Sequence, residues 1–190
     1  MRKYRPGITD KRLCNRRFYK TEEAILNAFF GGDIYAGAGK MAERAGVARS
    51  TFYHHHQAVG KIIADYRSYI LVKYGRTVRK LMSSRGVGVR VLYGRTLMFI
   101  LQNKRIFKIL MMGGERGVLG KMIFKLQPWL VNMMGLPKNS DKIFLVYTGE
   151  VVALLDKWCQ DGAKETEMDK LLNEIVYLTE TARVRLKMLL

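Results

Sequence analysis

The chain is expected to be all-α, with a small N-terminal three-helix domain followed by a larger helical domain. Three observations lead there. Apolar residues recur at three- and four-residue intervals along most of the 190 residues, the spacing of helices with one buried face. No stretch alternates apolar and polar residues for long enough to argue for a strand. Glycine, proline and Ser/Asn clusters fall between the periodic segments, where chain breaks belong. Hydrophobic residues make up 48% of the chain, ample for a packed core and against wholesale disorder.

Residues 1–18 read as a basic arm, extended or disordered. They hold Pro6, Gly7, Arg2, Lys3, Arg5, Lys11, Arg12, Arg16 and Arg17, with poor apolar periodicity. A first domain then spans residues 19–66. Thr21 suits a helix N-cap, and Glu22 and Glu23 suit the positive end of the helix dipole. Ala24, Ile25, Ala28 and Phe29 form an apolar stripe that Gly31-Gly32 stops. Ala36-Gly37-Ala38-Gly39 leads into a short helix over residues 40–45, with Met41, Ala42 and Ala45 on one side. Gly46 must end that helix, because glycine enters the left-handed conformation without a Cβ clash.

The second domain spans residues 67–190. A long helix is expected over residues 61–82, its apolar face built from Ile62, Ile63, Tyr66, Tyr69, Ile70 and Leu81. It starts in the first domain and ends in the second, at the break Ser83-Ser84-Arg85-Gly86. Another helix follows over residues 87–104. Gly113-Gly114 and Gly117 interrupt the next region, and residues 121–127 are helical until Pro128 kinks or ends them. Two helices close the chain, each of roughly 20 residues, or about 30 Å. Ser140-Asp141 caps the first, which carries Phe144, Tyr147, Val151, Leu155 and Trp158 before Gly162. Thr166-Glu167-Met168-Asp169 reads as a capping box for the second, with Leu171, Leu172, Ile175 and Leu178 on its apolar side.

Charge points to a polyanionic partner. The chain has 34 Lys+Arg against 16 Asp+Glu, a formal net charge of +18. Residues 1–20 carry eight basic residues and one acid, and residues 81–140 carry ten against one. Residues 141–190 carry seven basic against nine acidic, so the positive charge lies away from the two closing helices. A polyanion-binding N-terminal region alone does not explain the basic middle stretch. Cys14 and Cys159 give no metal spacing and no disulfide framework, which fits a reducing cytoplasm. No apolar segment of signal-peptide length follows the basic N-terminus, and residues 97–101 are far too short to span a bilayer. A cytoplasmic chain without membrane attachment is expected.

The most informative segment is Ala45-Gly46-Val47-Ala48-Arg49-Ser50-Thr51-Phe52-Tyr53-His54-His55-His56. It reads as the turn and second helix of a helix-turn-helix. Val47 and Phe52 point inward, leaving Arg49, Ser50, Thr51, Tyr53 and His54 outward. That face offers one cation, hydroxyls and imidazole to phosphates and base edges. Arg49 is the candidate for reading guanine, since its fork matches O6 and N7. Ser50 shares the face, and Thr51, Tyr53, His54 and His55 are candidates for phosphate contact. The bland alternative is a solvated helix face, and the preceding Ala-Gly-Val turn argues against it. His54-His55-His56 does not make a metal site, because adjacent helical positions diverge by about 100° and no ligand set is completed.

Residues 21–66 resemble the TetR family of transcriptional regulators. Glu23-Ala24-Ile25-Leu26-Asn27-Ala28-Phe29-Phe30 looks like that family's first helix, Met41-Ala42-Glu43-Arg44-Ala45-Gly46-Val47 like its second helix and turn, and Arg49-Ser50-Thr51-Phe52-Tyr53-His54-His55 like its recognition helix. The resemblance covers roughly a quarter of the chain. It implies a DNA-reading head, phosphate contacts from His54 and His55, and an all-helical domain that dimerises and holds an effector. This chain has His56 where the family usually has an aromatic residue, and Val59 where it usually has a phosphate-binding lysine. Lys61, two residues on, is the candidate replacement. Residues 147–162 more loosely resemble the C-terminal domain of a TetR subgroup that includes an activator controlled by a protein partner.

The expectation for function is a dimeric, sequence-specific repressor bound to a palindromic operator on double-stranded DNA. A hydrophobic small molecule or a protein effector would release it. Met98, Met111, Met112, Phe124, Trp129, Met133, Met134 and Tyr147 are candidates for an effector pocket, since methionines and aromatics adapt to apolar guests. Core packing is the competing explanation for most of them. Leu155, Ile175 and Leu178 are candidates for a four-helix dimer interface. No nucleophile–base pair, phosphate-binding glycine loop or metal motif stands out, so neither catalysis nor a cofactor is expected. The alternative function is a helical interaction protein or a partner-controlled co-activator whose head contributes little to DNA binding.

Overall fold

The computed structural model describes residues 16–31, 36–56, 59–84, 86–112, 114–134 and 141–189, and every regular element among them is helical. Two units divide the chain, Met1–Ile70 and Leu71–Leu190.

In the first unit α1 spans Arg16–Gly31, α2 Ala38–Arg44 and α3 Arg49–His55. Helix α1 begins five residues before Thr21, so Thr21 lies inside the helix and residues 16–18 do not belong to an extended arm. No glycine or proline stands between Gly7 and Gly31 to stop it, and extending a nucleated helix costs little. The rest of the expected arm, with Cys14, lies outside the described residues. Helix α1 packs on α2, and α2 on α3. Ile25 and Phe29, one turn apart on α1, are fully buried, as are Met41 and Phe52. Each such side chain contributes roughly 1.5–3 kcal/mol relative to exposure. Of the two glycines leading into α2, Gly37 occupies the N-cap position with extended backbone and only Gly39 is helical. The helical-glycine cost, about 1 kcal/mol, therefore applies once.

Helix α4 spans Val59–Met82 and crosses the division between the units. Tyr66, Ile70, Tyr74 and Val78 recur at intervals of four and are buried.

The second unit continues with α5 Val89–Gln102, α6 Lys104–Met112, α7 Gly117–Phe124, α8 Gln127–Met134, α9 Asp141–Gln160 and α10 Met168–Leu189. Helix α10 packs on α5 and α9, and α9 also packs on α6 and α7. The segment expected as one helix over residues 87–104 is divided at Asn103. The side-chain amide of Asn103 donates to the Phe99 carbonyl at 2.6 Å, while its own carbonyl accepts the N–H groups of Ile106 and Phe107. A single residue thus closes α5 and opens α6. Pro128 also behaves differently from expectation. The preceding helix has already ended at Phe124, and Pro128 sits second in α8, in a first turn that does not need its missing N–H. Before α10, Thr166 does not act as an N-cap. A 3-10 turn over Glu165–Glu167 runs straight into α10, and Lys164 pairs with Glu167 at 3.3 Å.

A chain of hydroxyl groups ties three helices of this unit together. Tyr93 on α5 lies 2.6 Å from the Tyr147 hydroxyl on α9, which lies 2.8 Å from Thr179 Oγ1 on α10. Thr179 donates its proton to the Ile175 carbonyl. Each hydroxyl has one proton to give, so Tyr147 donates to Thr179 and Tyr93 donates to Tyr147. Burial pushes both tyrosine hydroxyls above their ordinary range.

Candidate nucleic-acid interface

Helix α2 stops through its own backbone. Ala45 is the C-cap and Gly46 follows at φ +63°. The Gly46 N–H reaches the Glu43 carbonyl at 3.0 Å, and the Val47 N–H reaches the Ala42 carbonyl at 2.9 Å. These are the two bonds of a Schellman ending, which satisfy carbonyls the helix leaves orphaned. Val47 is thereby turned back toward α2, half-buried, and Ala48 brings the chain into α3 with extended backbone.

Helix α3 is anchored from inside. Phe52 has no exposure, and His56 at the C-cap is buried with its ring 6.2 Å from Phe52. An imidazole therefore occupies core space in this unit. Two anchors at i and i+4 define the inward side, and the remaining residues take the outward one. Arg49, Ser50, Tyr53 and His54 are exposed, while Thr51 and His55 are half-buried. The Arg49 guanidinium lies 5.8 Å from the centroid of the Tyr53 ring. The rings of His54 and His55 are 6.2 Å apart at 81°. Among the described residues no three His, Cys, Asp or Glu side chains gather where a metal could be held. Lys61 is exposed in the first turn of α4.

Along α2 and α3 the acid is Glu43 alone, against Lys40, Arg44 and Arg49, all exposed. Lys40 and Arg44 were not among the expected contacts. Their spacing of four on a short helix was the available signal, as it was for the Arg49–Tyr53 stack.

The residues proposed for an effector pocket are dispersed in role. Tyr147 is buried and committed to the hydroxyl chain, and Met111 is buried in α6. Met98, Trp129 and Met133 are half-buried, and Phe124 is exposed, edge-on to Phe144 at 5.8 Å. The side chains of Met112 and Met134 lie outside the described residues. A cleft of about 320 Å³ is formed by other residues, where α9 ends and α10 begins. Leu154, Trp158 and Leu171 give it apolar wall, while Lys157, Asp161, Glu167, Lys170 and Glu174 give it charge. The Trp158 indole donates to the Lys164 carbonyl at 3.1 Å, which fixes that wall.

Leu155 and Ile175 correct the expectation for a dimer interface. Both have zero exposure within the chain itself. The richest apolar stripe of each closing helix is used first against its own neighbours, and periodicity does not distinguish burial within a chain from burial between chains. Leu178 is half-buried at the edge. Among the described residues, the outward apolar ones of α9 and α10 are instead Leu145, Val146, Tyr177 and Val184, of which Tyr177 is 71% exposed.

No family model, curated protein or solved structure matches the chain. No described helix is long and apolar enough to cross a membrane.

Proposed function

We propose that the chain is a sequence-specific DNA-binding regulator of the TetR-like helix-turn-helix type, with α3 as the recognition helix. The observation that carries this reading is the α2–turn–α3 geometry. A Schellman ending at Gly46 and the buried pair Phe52 and His56 leave Arg49, Ser50, Tyr53 and His54 exposed, with Thr51 and His55 half-buried at the flanks. An α-helix, about 10–12 Å across with its side chains, fits a major groove about 12 Å wide. In this reading Arg49 reads a base edge and the hydroxyl and imidazole groups hold phosphates.

The regulator acts as a homodimer on a palindrome, and a small-molecule or protein effector releases it. The exposed residues Leu145, Val146, Tyr177 and Val184 support a pairing surface on α9 and α10. Two heads on one duplex raise affinity through effective concentration. Selection from random duplex DNA tests the proposal. An enriched palindrome with half-sites about 34–36 Å apart is expected. A bound pool with no enriched sequence overturns it. Gly39 inside α2 and Val59 at the start of α4 support the second reading, a helical interaction protein whose head contributes little.

A further inference from the structure

We propose that the second unit carries a phosphate-backbone surface of its own, separate from α3, that binds duplex DNA without regard to sequence. The surface is the outward side of α4 after Ile70, with the end of α7 beside it.

Charge is the first observation. Between Leu71 and Met134 the described residues include twelve lysines and arginines, all exposed, and a single acid, Glu115. No carboxylate lies on α5, α6, α7, α8 or this part of α4.

Placement is the second. Tyr74 and Val78 define the buried side of α4. At about 100° per residue, Arg76, Arg79 and Lys80 share the opposite side. Lys73 marks one edge, where its Nζ donates to Asn103 Oδ1 at 2.9 Å, immediately before Lys104. Lys125 marks the other edge. A Cβ at Gly75 would meet Lys125 Nζ, Cδ and Cε at 3.6–3.7 Å, so the lysine stem lies along the α4 backbone. The Arg79 Nε–H donates to the carbonyl of that same Gly75 at 3.3 Å. Cations from two helices therefore converge on one turn, and Lys121 follows one turn before Lys125.

Gathering like charges on a rigid helix raises the free energy of the isolated molecule, and a polyanion relieves it by exchanging its condensed counterions for these side chains. A linear array suits a linear polyanion. Interfacial helices insert a band of apolar side chains beneath their cations, whereas here, Val72 and Phe124 apart, the exposed residues over 72–80 and 121–125 are Lys73, Arg76, Thr77, Arg79, Lys80, Lys121 and Lys125. The inference stands apart from the reading of α3, because it needs no sequence preference.

The test uses the full chain on a random-sequence duplex, following the binding constant against salt. The variant Arg76→Gln/Arg79→Gln/Lys121→Gln/Lys125→Gln is expected to lower the log–log slope by roughly 3 to 4, at about 0.9 per phosphate. Its loss of affinity between about 50 and about 200 mM salt then shrinks by roughly a hundredfold relative to wild type. The pair Lys121→Arg/Lys125→Arg should keep the wild-type slope. An unchanged slope in the quadruple variant overturns the proposal, as does a lowered slope in the arginine pair. Binding to phosphatidylserine vesicles that the quadruple variant abolishes while its DNA slope stays at wild type assigns the surface to lipid and also overturns it. Failure of the α3 reading looks different: sequence preference is absent while the slope still falls.

Discussion

The Arg49 guanidinium rests 5.8 Å from the centroid of the Tyr53 ring, one turn further along α3. A free arginine side chain has about 2 kcal/mol of rotamer entropy to lose on binding, and stacking removes part of that loss in advance. The stack itself is worth about 0.5–1 kcal/mol at an exposed site. The buried Phe52 ring lies 5.9 Å from Tyr53, edge to face, so the Tyr53 ring is itself positioned by the core. On the proposed function, a fork held this way is ready for a guanine edge.

Arg49→Ala is therefore expected to weaken binding to the selected palindrome by about 1–3 kcal/mol, roughly 5- to 150-fold. The loss on scrambled DNA should be much smaller. Arg49→Lys keeps the charge and discards the fork, so it should spare scrambled DNA and still weaken the palindrome. Anisotropy titrations on both duplexes decide the matter. Equal losses on the two DNAs would remove Arg49 from base reading.

Tyr147→Phe should destabilise the second unit by about 1–3 kcal/mol, because the Tyr93 hydroxyl is left buried without its acceptor. Tyr93→Phe/Tyr147→Phe removes both groups and should recover part of that loss. Urea denaturation of the two singles and the double measures the coupling. Strict additivity of the single effects would mean that the hydroxyl chain contributes nothing as a chain.

Cys159 is buried on α9, and desolvation, with Asp156 nearby, pushes its thiol from 9.0 up to about 12. The native chain keeps this proton where the unfolded chain has lost it. The resulting stability is fully present below about pH 9 and is lost as pH rises from there toward about 12. In a Cys14→Ser background, the native thiol should resist iodoacetamide at pH 8 and react on unfolding. The denaturation midpoint should also fall less steeply from pH 9 to 10.5 in Cys159→Ala than in its parent. Equal steepness would show that this thiol does not titrate with unfolding.

Val146→Glu and Tyr177→Glu should yield monomers by sedimentation, with thermal stability close to wild type and much weaker binding to the palindrome. Ile175→Ala should instead cost about 2–5 kcal/mol of fold stability through the cavity it leaves. A dimer that survives both glutamates places the pairing surface elsewhere on the chain.

How much of this was legible before folding differs from residue to residue. The all-helical class, the stop at Gly46 and the inward Phe52 follow from local rules, since a helix period and a left-handed glycine need no distant partner. The exposure of Arg49, Ser50, Tyr53 and His54 was legible for the same reason, while Thr51, expected outward with them, is half-buried. The start of α1 was misplaced because a capping residue is only a preference, which an uninterrupted run of helix formers overrides. Pro128 was misread because one proline fits both the end of one helix and the first turn of the next. Tertiary structure alone decided that Leu155 and Ile175 face their own core and that Tyr147 spends its hydroxyl on Thr179. It also set Lys125 against Gly75, fifty residues away in the chain. Periodicity marks which side of a helix is buried, but the partner that buries it is chosen by packing between segments far apart in sequence.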